Sequence, residues 1–321
     1  MVESHLFYQE FISAIRDKIP HKATLANTIA DLLCIDKDAV YRRLRGEVNF
    51  SFAEMAVIAR NTGISLDNIA GIDNLLSKPA KMNILRQVDL TEIDYEMFER
   101  YVNLLKSIKD EPETKIMEAG NVFPPFFYYN YEYITRFHMF RWNQSSGYGD
   151  ARPFHEITIP ERLRILQKEF CIYTRHIKST QYVLDNQIFQ RLITSINYFA
   201  KMRLIREEDV ALIKNDLIEF LNDLENLALK GKYDETGNEM SIYILDISPD
   251  SNYCCLKSKN IHFTLFKAFV LNAIVCFDEE AFNETSDWIR SLQRKSTLIS
   301  VSGEKIRAAF FNAQREIIYT L

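Results

Sequence analysis

A short segment near the N-terminus places charged and aromatic side chains on one face of a predicted helix. The residues on that outward face are Lys37, Asp38, Tyr41 and Arg42. Val40 and Leu44 lie four residues apart and form the only apolar stripe of the segment, so they should face a core. Arginine can bind guanine through two hydrogen bonds, and lysine or arginine can pair with phosphate. The pattern therefore predicts a helix that enters the major groove of DNA.

A second short helix and a tight turn precede this segment. Residues 24–33 carry apolar side chains at helical spacing, and only residues 34–36 separate them from the next helix. Asp36 is a typical N-cap residue, and Gly46 is a typical helix stop. Because so short a linker forces the two helices to cross at a steep angle, the segment predicts a helix-turn-helix.

Residues 21–70 resemble the lambda-repressor/Cro type of helix-turn-helix regulator, and the resemblance covers about a sixth of the chain. Two positions depart from the family pattern. Cys34 stands where the turn usually has glycine, so it must adopt a left-handed conformation or distort the turn. Arg43 occupies a late core position beside Leu44, which indicates a slight rotation of the helix. The matching positions are Ile29, Ala30, Leu33, Ile35, Val40, the RLRGE motif at 43–47, a helix at 52–62 and GISLDNI at 63–69.

The resemblance implies a role for each outward residue. Bases would be contacted by Lys37, Asp38, Tyr41 and Arg42, and phosphates by Arg45, Lys22 and Thr24. It also implies a homodimer that reads double-stranded DNA with two recognition helices about 34 Å apart. The expected function is therefore sequence-specific transcriptional regulation.

Composition limits how this DNA binding can work. Residues 1–72 contain eight Lys and Arg against nine Asp and Glu, and the whole chain has a net charge of −5. Affinity must then come from a local surface rather than from overall positive charge. The chain has five cysteines at irregular spacing, an N-terminus of mixed polarity and no apolar run of about 18 residues. These features predict a cytoplasmic protein without membrane contact.

We expect a mainly α protein with a C-terminal α+β part. Residues 1–72 should form a five-helix DNA-binding domain, followed by a connector at 73–84. Residues 85–235 should form a central helical bundle for dimerisation and sensing. In residues 236–321 the apolar period changes from 3.6 to 2, which predicts a small α+β region with an antiparallel sheet of three or four strands.

One predicted helix of the middle region, residues 206–230, carries a heptad-like apolar seam. Its members are Val210, Ile213, Leu217, Phe220, Leu224 and Leu227. A seam of this length is compatible with a contact inside the chain or with a dimer contact.

Residues 123–142 are unusually aromatic, with ten aromatic side chains in twenty positions. A helix after Pro125 would align many of them on one face. One interpretation is a pocket for a flat small-molecule effector, lined by Tyr129, Tyr133, Phe137 and His138. The alternative is a central core helix whose tyrosine hydroxyls reach its rim.

The chain offers little that indicates catalysis. The six histidines are widely spaced, no pair of cysteines has metal-ligand spacing, and nine glycines include no phosphate-binding loop. We therefore expect no metal, no cofactor and no enzymatic activity. Two alternatives remain open: a protein-interaction module that uses the helix-turn-helix, and an enzyme with a DNA-binding head.

Overall fold

The structure is a computed structural model that divides into two compact units, Met1–Ala80 and Lys81–Leu321. It describes residues 2–19, 21–64, 66–69, 81–83, 88–146, 150–259, 261–268 and 272–321. Most of the predicted connector at 73–84 lies outside these ranges. Its described part is a strand of the C-terminal unit, so the connector does not extend as far as predicted.

The described part of the N-terminal unit contains five helices around a small apolar core. Phe11, Ile15, Ile29, Val40 and Ile58 are fully buried there. The helices are α1 (Val2–Lys18), α2 (Lys22–Leu33), α3 (Lys37–Leu44), α4 (Phe52–Thr62) and α5 (Leu66–Ile69).

The C-terminal unit is built on one mixed sheet, which has eight strands within the described residues. Along the sheet they lie in the order β1-β7-β6-β5-β2-β3-β4-β8, and only the β2–β3 and β3–β4 pairs are parallel. The strands are β1 (Lys81–Asn83), β2 (Lys115–Gly120), β3 (Ser179–Asp185), β4 (Glu239–Leu245), β5 (Tyr253–Lys257), β6 (His262–Ala268), β7 (Asn272–Cys276) and β8 (Thr297–Leu298).

Helices cover both faces of this sheet. On one face, Met117 and Val183 pack against Phe282 and Ile289 of the penultimate helix. On the other face lies the main core of the unit, to which helices other than this penultimate one, α12 (Glu279–Arg294), contribute. The α-helices of the whole unit are α6 (Glu92–Ile108), α7 (Pro125–Tyr128), α8 (Glu132–Ser146), α9 (Glu161–Arg175), α10 (Ile188–Lys201), α11 (Glu207–Lys230), α12 and α13 (Glu304–Tyr319).

The expectation of a mainly helical chain with a sheet is confirmed, but the arrangement of the sheet differs from the prediction. Strands β2 and β3 come from the middle region, which was predicted to be a helical bundle, and they occupy the centre of the sheet. Parallel central strands are buried on both faces and therefore lack the alternation that marks a strand in a sequence. The middle and C-terminal regions consequently form one unit instead of a bundle with a small antiparallel sheet beside it.

The heptad-like seam of α11 is buried inside the C-terminal unit. Ile213, Leu217 and Leu224 are at most 2% exposed, and they belong to the main core, where α11 packs against α8 and α13. Of the two alternatives for this seam, the contact within the chain is the one that the fold uses.

Candidate nucleic-acid interface and internal cavity

Helix α3 buries its apolar stripe and exposes its opposite face. Val40 is fully buried and Leu44 is 9% exposed. Asp36 caps the helix, because its Oδ1 accepts a hydrogen bond from Ala39 N at 2.7 Å. The predicted contact residues Lys37, Asp38, Tyr41, Arg42 and Arg45 are all exposed, as is Thr24 on α2. Lys22 begins α2, and its side chain lies outside the described part of the chain.

The turn between α2 and α3 uses a left-handed residue. Cys34 has φ 53° and ψ 43°, and its backbone N–H donates to Ala30 O. Ile35 N also donates to Ala30 O, at 3.1 Å. The turn therefore keeps the backbone conformation that glycine favours, at the energetic cost that a Cβ brings in this region.

Arg43 does not share the exposed face of α3. Its Nη2 lies 2.9 Å from Glu54 Oε1 on α4, and its guanidinium lies 5.8 Å from the ring centre of Phe50. Two side chains of α1 also hold the end of α3: Tyr8 Oη donates to Arg43 O at 2.9 Å, and Arg16 Nη2 donates to Leu44 O at 3.0 Å. These three residues thus position the outward side chains of α3, but they are not part of its exposed face.

Glu47 lies beside the two outermost arginines. Its Oε1 accepts a hydrogen bond from Arg45 Nε at 2.6 Å, and its Oε2 lies 3.6 Å from Arg42 Nε. The hydrogen bond from Arg45 lowers the pKa of Glu47 below its ordinary value. All three side chains are exposed, so in the absence of a partner this carboxylate neutralises part of the positive surface.

The structure places the four aromatic-region residues predicted to form a pocket in different surroundings. The predicted single helix is interrupted, since α7 ends at Tyr128 and α8 begins at Glu132. Phe137 and His138 are buried in the core, and Tyr133 lies under the Arg136 guanidinium, 5.2 Å from its ring centre. Of the four, Tyr129 alone lines the cavity described below.

His138 is a neutral core residue. Its ring stacks on Tyr128 with centroids 4.0 Å apart. Burial lowers the pKa of His138 well below its ordinary value, and the nearby charges of Arg141 and Lys267 lower it further. Neither ring nitrogen has a hydrogen-bond partner among the described residues.

A cavity of about 250 Å³ lies between the sheet and helices α6, α7 and α9. Most of its lining is apolar or aromatic. Its floor consists of Ile116, Glu118, Tyr182, Cys254, Leu265, Lys267, Ala273 and Val275, and its helical walls include Asp94, Met97, Phe98, Tyr101, Phe126, Tyr129, Leu163, Phe170 and Thr174.

Two ionisable side chains of opposite sign share this floor. Glu118 on β2 is opposite Cys254 on β5, which is opposite Leu265 on β6, and Lys267 lies two residues further along β6. Burial raises the pKa of Glu118 to about 7, while the charge of Lys267 opposes this rise. Burial lowers the pKa of Lys267 to about 8, and the charge of Glu118 opposes that change.

Lys267 contributes an ammonium group to this floor. Its Nζ is buried and has no hydrogen-bond partner within the described ranges. Sequence reasoning missed both residues, although each is a charged side chain inside a mostly apolar strand, Glu118 in KIMEAG and Lys267 in HFTLFKA. That signal marks a residue whose charge needs a partner, but it does not reveal that the two share a cavity.

Comparisons with protein-family models, with curated proteins and with solved structures found no match to this chain. Among the described residues, no group of His, Cys, Asp and Glu side chains is arranged to hold a metal ion. The described helices include none with the length and apolar character needed to cross a membrane.

Proposed function

We propose that the protein is a sequence-specific regulator of transcription that binds double-stranded DNA through α3. The observation that carries the proposal is the division of α3 into a buried stripe, Val40 and Leu44, and an exposed face of hydrogen-bonding side chains. The resemblance of residues 21–70 to lambda-repressor/Cro-type regulators supports the same assignment. In this proposal α3 enters the major groove, and Arg45, Lys22 and Thr24 contact phosphates.

The C-terminal unit would then supply dimerisation and response to a small-molecule effector. A homodimer places two copies of α3 about 34 Å apart on a near-palindromic site. An effector that binds one arrangement of the C-terminal unit better than another would change the population of the DNA-binding arrangement.

The test is selection from randomised duplex DNA with the full-length protein at two salt concentrations. Wild type is compared with the Arg42→Ala/Arg45→Ala double variant, and Arg60→Ala on α4 is the control because it removes an exposed arginine from another helix. We expect a palindromic motif with wild type and with the control. Losing one base-contacting arginine should weaken binding to that motif about 5- to 150-fold.

Equal and weak retention of all three proteins, with no enriched motif, would overturn the DNA-binding proposal. Hydrogen exchange of the N-terminal unit in the double variant shows whether the helices persist. The remaining candidate for the N-terminal unit would then be a protein-interaction module, whose partner binding should be insensitive to salt.

One observation favours a second candidate, an enzyme with a DNA-binding head. Glu118 and Lys267 face one cavity, and burial brings the pKa values of both toward neutrality, as often occurs for acid and base groups in active sites. The test incubates a ligand that binds this cavity with wild type and with Glu118→Gln, and then recovers the ligand. A ligand that wild type changes chemically and Glu118→Gln leaves unchanged would support catalysis over binding alone.

A further inference from the structure

The most unusual group in the C-terminal unit is the ammonium of Lys267. A buried charge is costly unless it is paired or hydrogen-bonded. The described contacts include no ion pair for Lys267, and its Nζ has no hydrogen-bond partner among the described residues. Because Lys267 lines a cavity rather than a filled core, the missing partner has room to come from outside the chain.

We propose that this cavity binds a small carboxylate with a flat apolar body, and that the carboxylate pairs with Lys267 Nζ. Binding of such a ligand concerns the C-terminal unit alone. Its role as the effector that controls DNA binding rests on the proposed function.

The size of the cavity sets the size of the ligand. An apolar cavity of about 150 Å³ accommodates benzene, which has six non-hydrogen atoms. By the same proportion, about 250 Å³ accommodates roughly ten non-hydrogen atoms. One aromatic ring with a short carboxylate arm has this size, and phenylacetate is a suitable probe.

The walls of the cavity suit a flat body. Phe98, Tyr129 and Phe170 form a mutual cluster with ring centroids 5.7 to 6.2 Å apart, and Tyr101 stacks on Phe170 at 5.8 Å. Aromatic pairs favour offset or edge-to-face contact, so a further ring can pack against this wall with little rearrangement.

The unpartnered charge of the cavity favours an anion over a cation. Lys267 Nζ has no hydrogen-bond partner among the described residues, whereas the carboxylate of Asp94 accepts hydrogen bonds from Thr91 at the start of α6. At neutral pH Lys267 carries a charge that a carboxylate would compensate. Glu118 can take up a proton near pH 7, so it need not repel that carboxylate and can donate a hydrogen bond to it. An amine would instead add a second positive charge beside Lys267, on which the charge of Arg141 already acts.

The experiment measures binding of three probes of similar size to the full-length protein by calorimetry and ligand-observed NMR. They are phenylacetate, 2-phenylethanol and phenethylamine. The variants are Lys267→Met, which keeps an apolar stem in the cavity, and Lys257→Met, which changes an exposed lysine of β5. We expect phenylacetate to bind wild type and Lys257→Met equally, and 2-phenylethanol and phenethylamine to bind much more weakly.

Lys267→Met should weaken phenylacetate binding about ten- to hundredfold, because a charge-assisted hydrogen bond is lost. Thermal unfolding provides a second measurement. The ligand-free Lys267→Met protein should unfold at a higher temperature than wild type, since the unpartnered charge is gone. Phenylacetate should stabilise wild type and Lys257→Met equally, and Lys267→Met much less.

Three results would overturn the proposal: no binding of phenylacetate or benzoate at about 1 mM; unchanged phenylacetate affinity in Lys267→Met; or phenethylamine binding as tight as that of phenylacetate. DNA selection with and without phenylacetate separates the two proposals. Ligand binding without any DNA motif leaves the cavity assignment intact, and a DNA motif without ligand binding leaves the regulator intact.

Discussion

Arg43 Nη2 on α3 lies 2.9 Å from Glu54 Oε1 on α4, and this ion pair joins α3 to the helix that follows it. Glu54 also closes the capping box at the start of α4, where its Oε2 accepts a hydrogen bond from Ser51 N at 2.7 Å. One carboxylate therefore fixes both the start of α4 and the orientation of α3.

Removing this carboxylate should weaken the N-terminal unit. For Glu54→Gln we expect the free energy of local unfolding to fall by about 1–2 kcal/mol, because a half-buried arginine loses its partner. Hydrogen exchange in the full-length chain measures this change for α3 and α4. Arg60→Ala, an exposed change on α4, should leave exchange unaltered, and equal protection in both variants would contradict the assignment.

The same residue predicts a response to acid. Burial tends to raise the pKa of Glu54, but hydrogen bonds from Ser51 and Arg43 outweigh it, and the pKa is lowered below 4.5. A carboxyl group with a lowered pKa contributes stability above its unfolded pKa, and that contribution is lost as the pH falls through the folded value. Protection of α3 and α4 should therefore decrease below about pH 4.5 in wild type, and less so in Glu54→Gln.

If α3 binds DNA as proposed, removing Glu47 should strengthen that binding. In Glu47→Gln, Arg42 and Arg45 lose a competing carboxylate and become available to DNA. We expect higher affinity for all sequences at low salt and a steeper dependence of log K on log salt, by up to about 0.9 for each added phosphate contact. Glu10→Gln removes an equal charge from an exposed position on α1 and controls for net charge. Identical salt slopes for the two variants would argue against DNA contact by these arginines.

Glu118 should make the stability of the C-terminal unit depend on pH. Because burial raises its pKa from 4.5 to about 7, the folded protein holds this proton more tightly than the unfolded chain does. Stability from this group is complete below about pH 4.5 and is lost as the pH rises through 7. Glu118→Gln should therefore gain stability relative to wild type with rising pH, by up to about 3 kcal/mol.

Urea unfolding at several pH values, followed by Trp142 and Trp288 fluorescence, measures this difference. The other groups near Glu118 are Lys267, Tyr101, Tyr128, Tyr182 and Cys254. Burial raises the pKa values of the three tyrosines and the cysteine well above their ordinary values, so they stay neutral through this range. A pH-independent difference between the two proteins would contradict the placement of Glu118.

Position 120, at the end of β2, should tolerate no residue larger than glycine. A Cβ on Gly120 would overlap the side-chain amide of Asn252. That amide cannot move freely, because its Nδ2 donates to Val122 O at 2.7 Å and its Oδ1 accepts from Asn121 N at 3.1 Å. Gly120→Ala should lower the free energy of unfolding by about 2–3 kcal/mol.

Gly237→Ala is the matched control. Gly237 has φ +69° and no atom near its missing Cβ, so alanine there should cost only about 1 kcal/mol, from the left-handed backbone. Urea unfolding measures both variants, and equal costs would show that the Asn252 contact does not restrict Gly120.

Local sequence patterns were sufficient to predict those helices and caps that are specified by their own residues. The sequence predicts the N-cap at Asp36 and the helix that ends before Gly231, and the structure places a cap hydrogen bond at the first and a left-handed glycine at the second. Periodicity likewise separates the buried pair Val40 and Leu44 from the exposed face of α3. Caps and helical spacing act over a few residues, so they can be read without knowledge of the fold.

Short-range patterns thus specify the helices of the N-terminal unit and the outward residues of α3. Tertiary structure alone decided that β2 and β3 enter the centre of a mixed sheet and that Glu118 and Lys267 meet at one cavity. The physical reason is that a strand is stabilised by its neighbours. Its pairing partners, its two-sided burial and the ionisation of its side chains depend on residues far away in the chain, which no local pattern specifies.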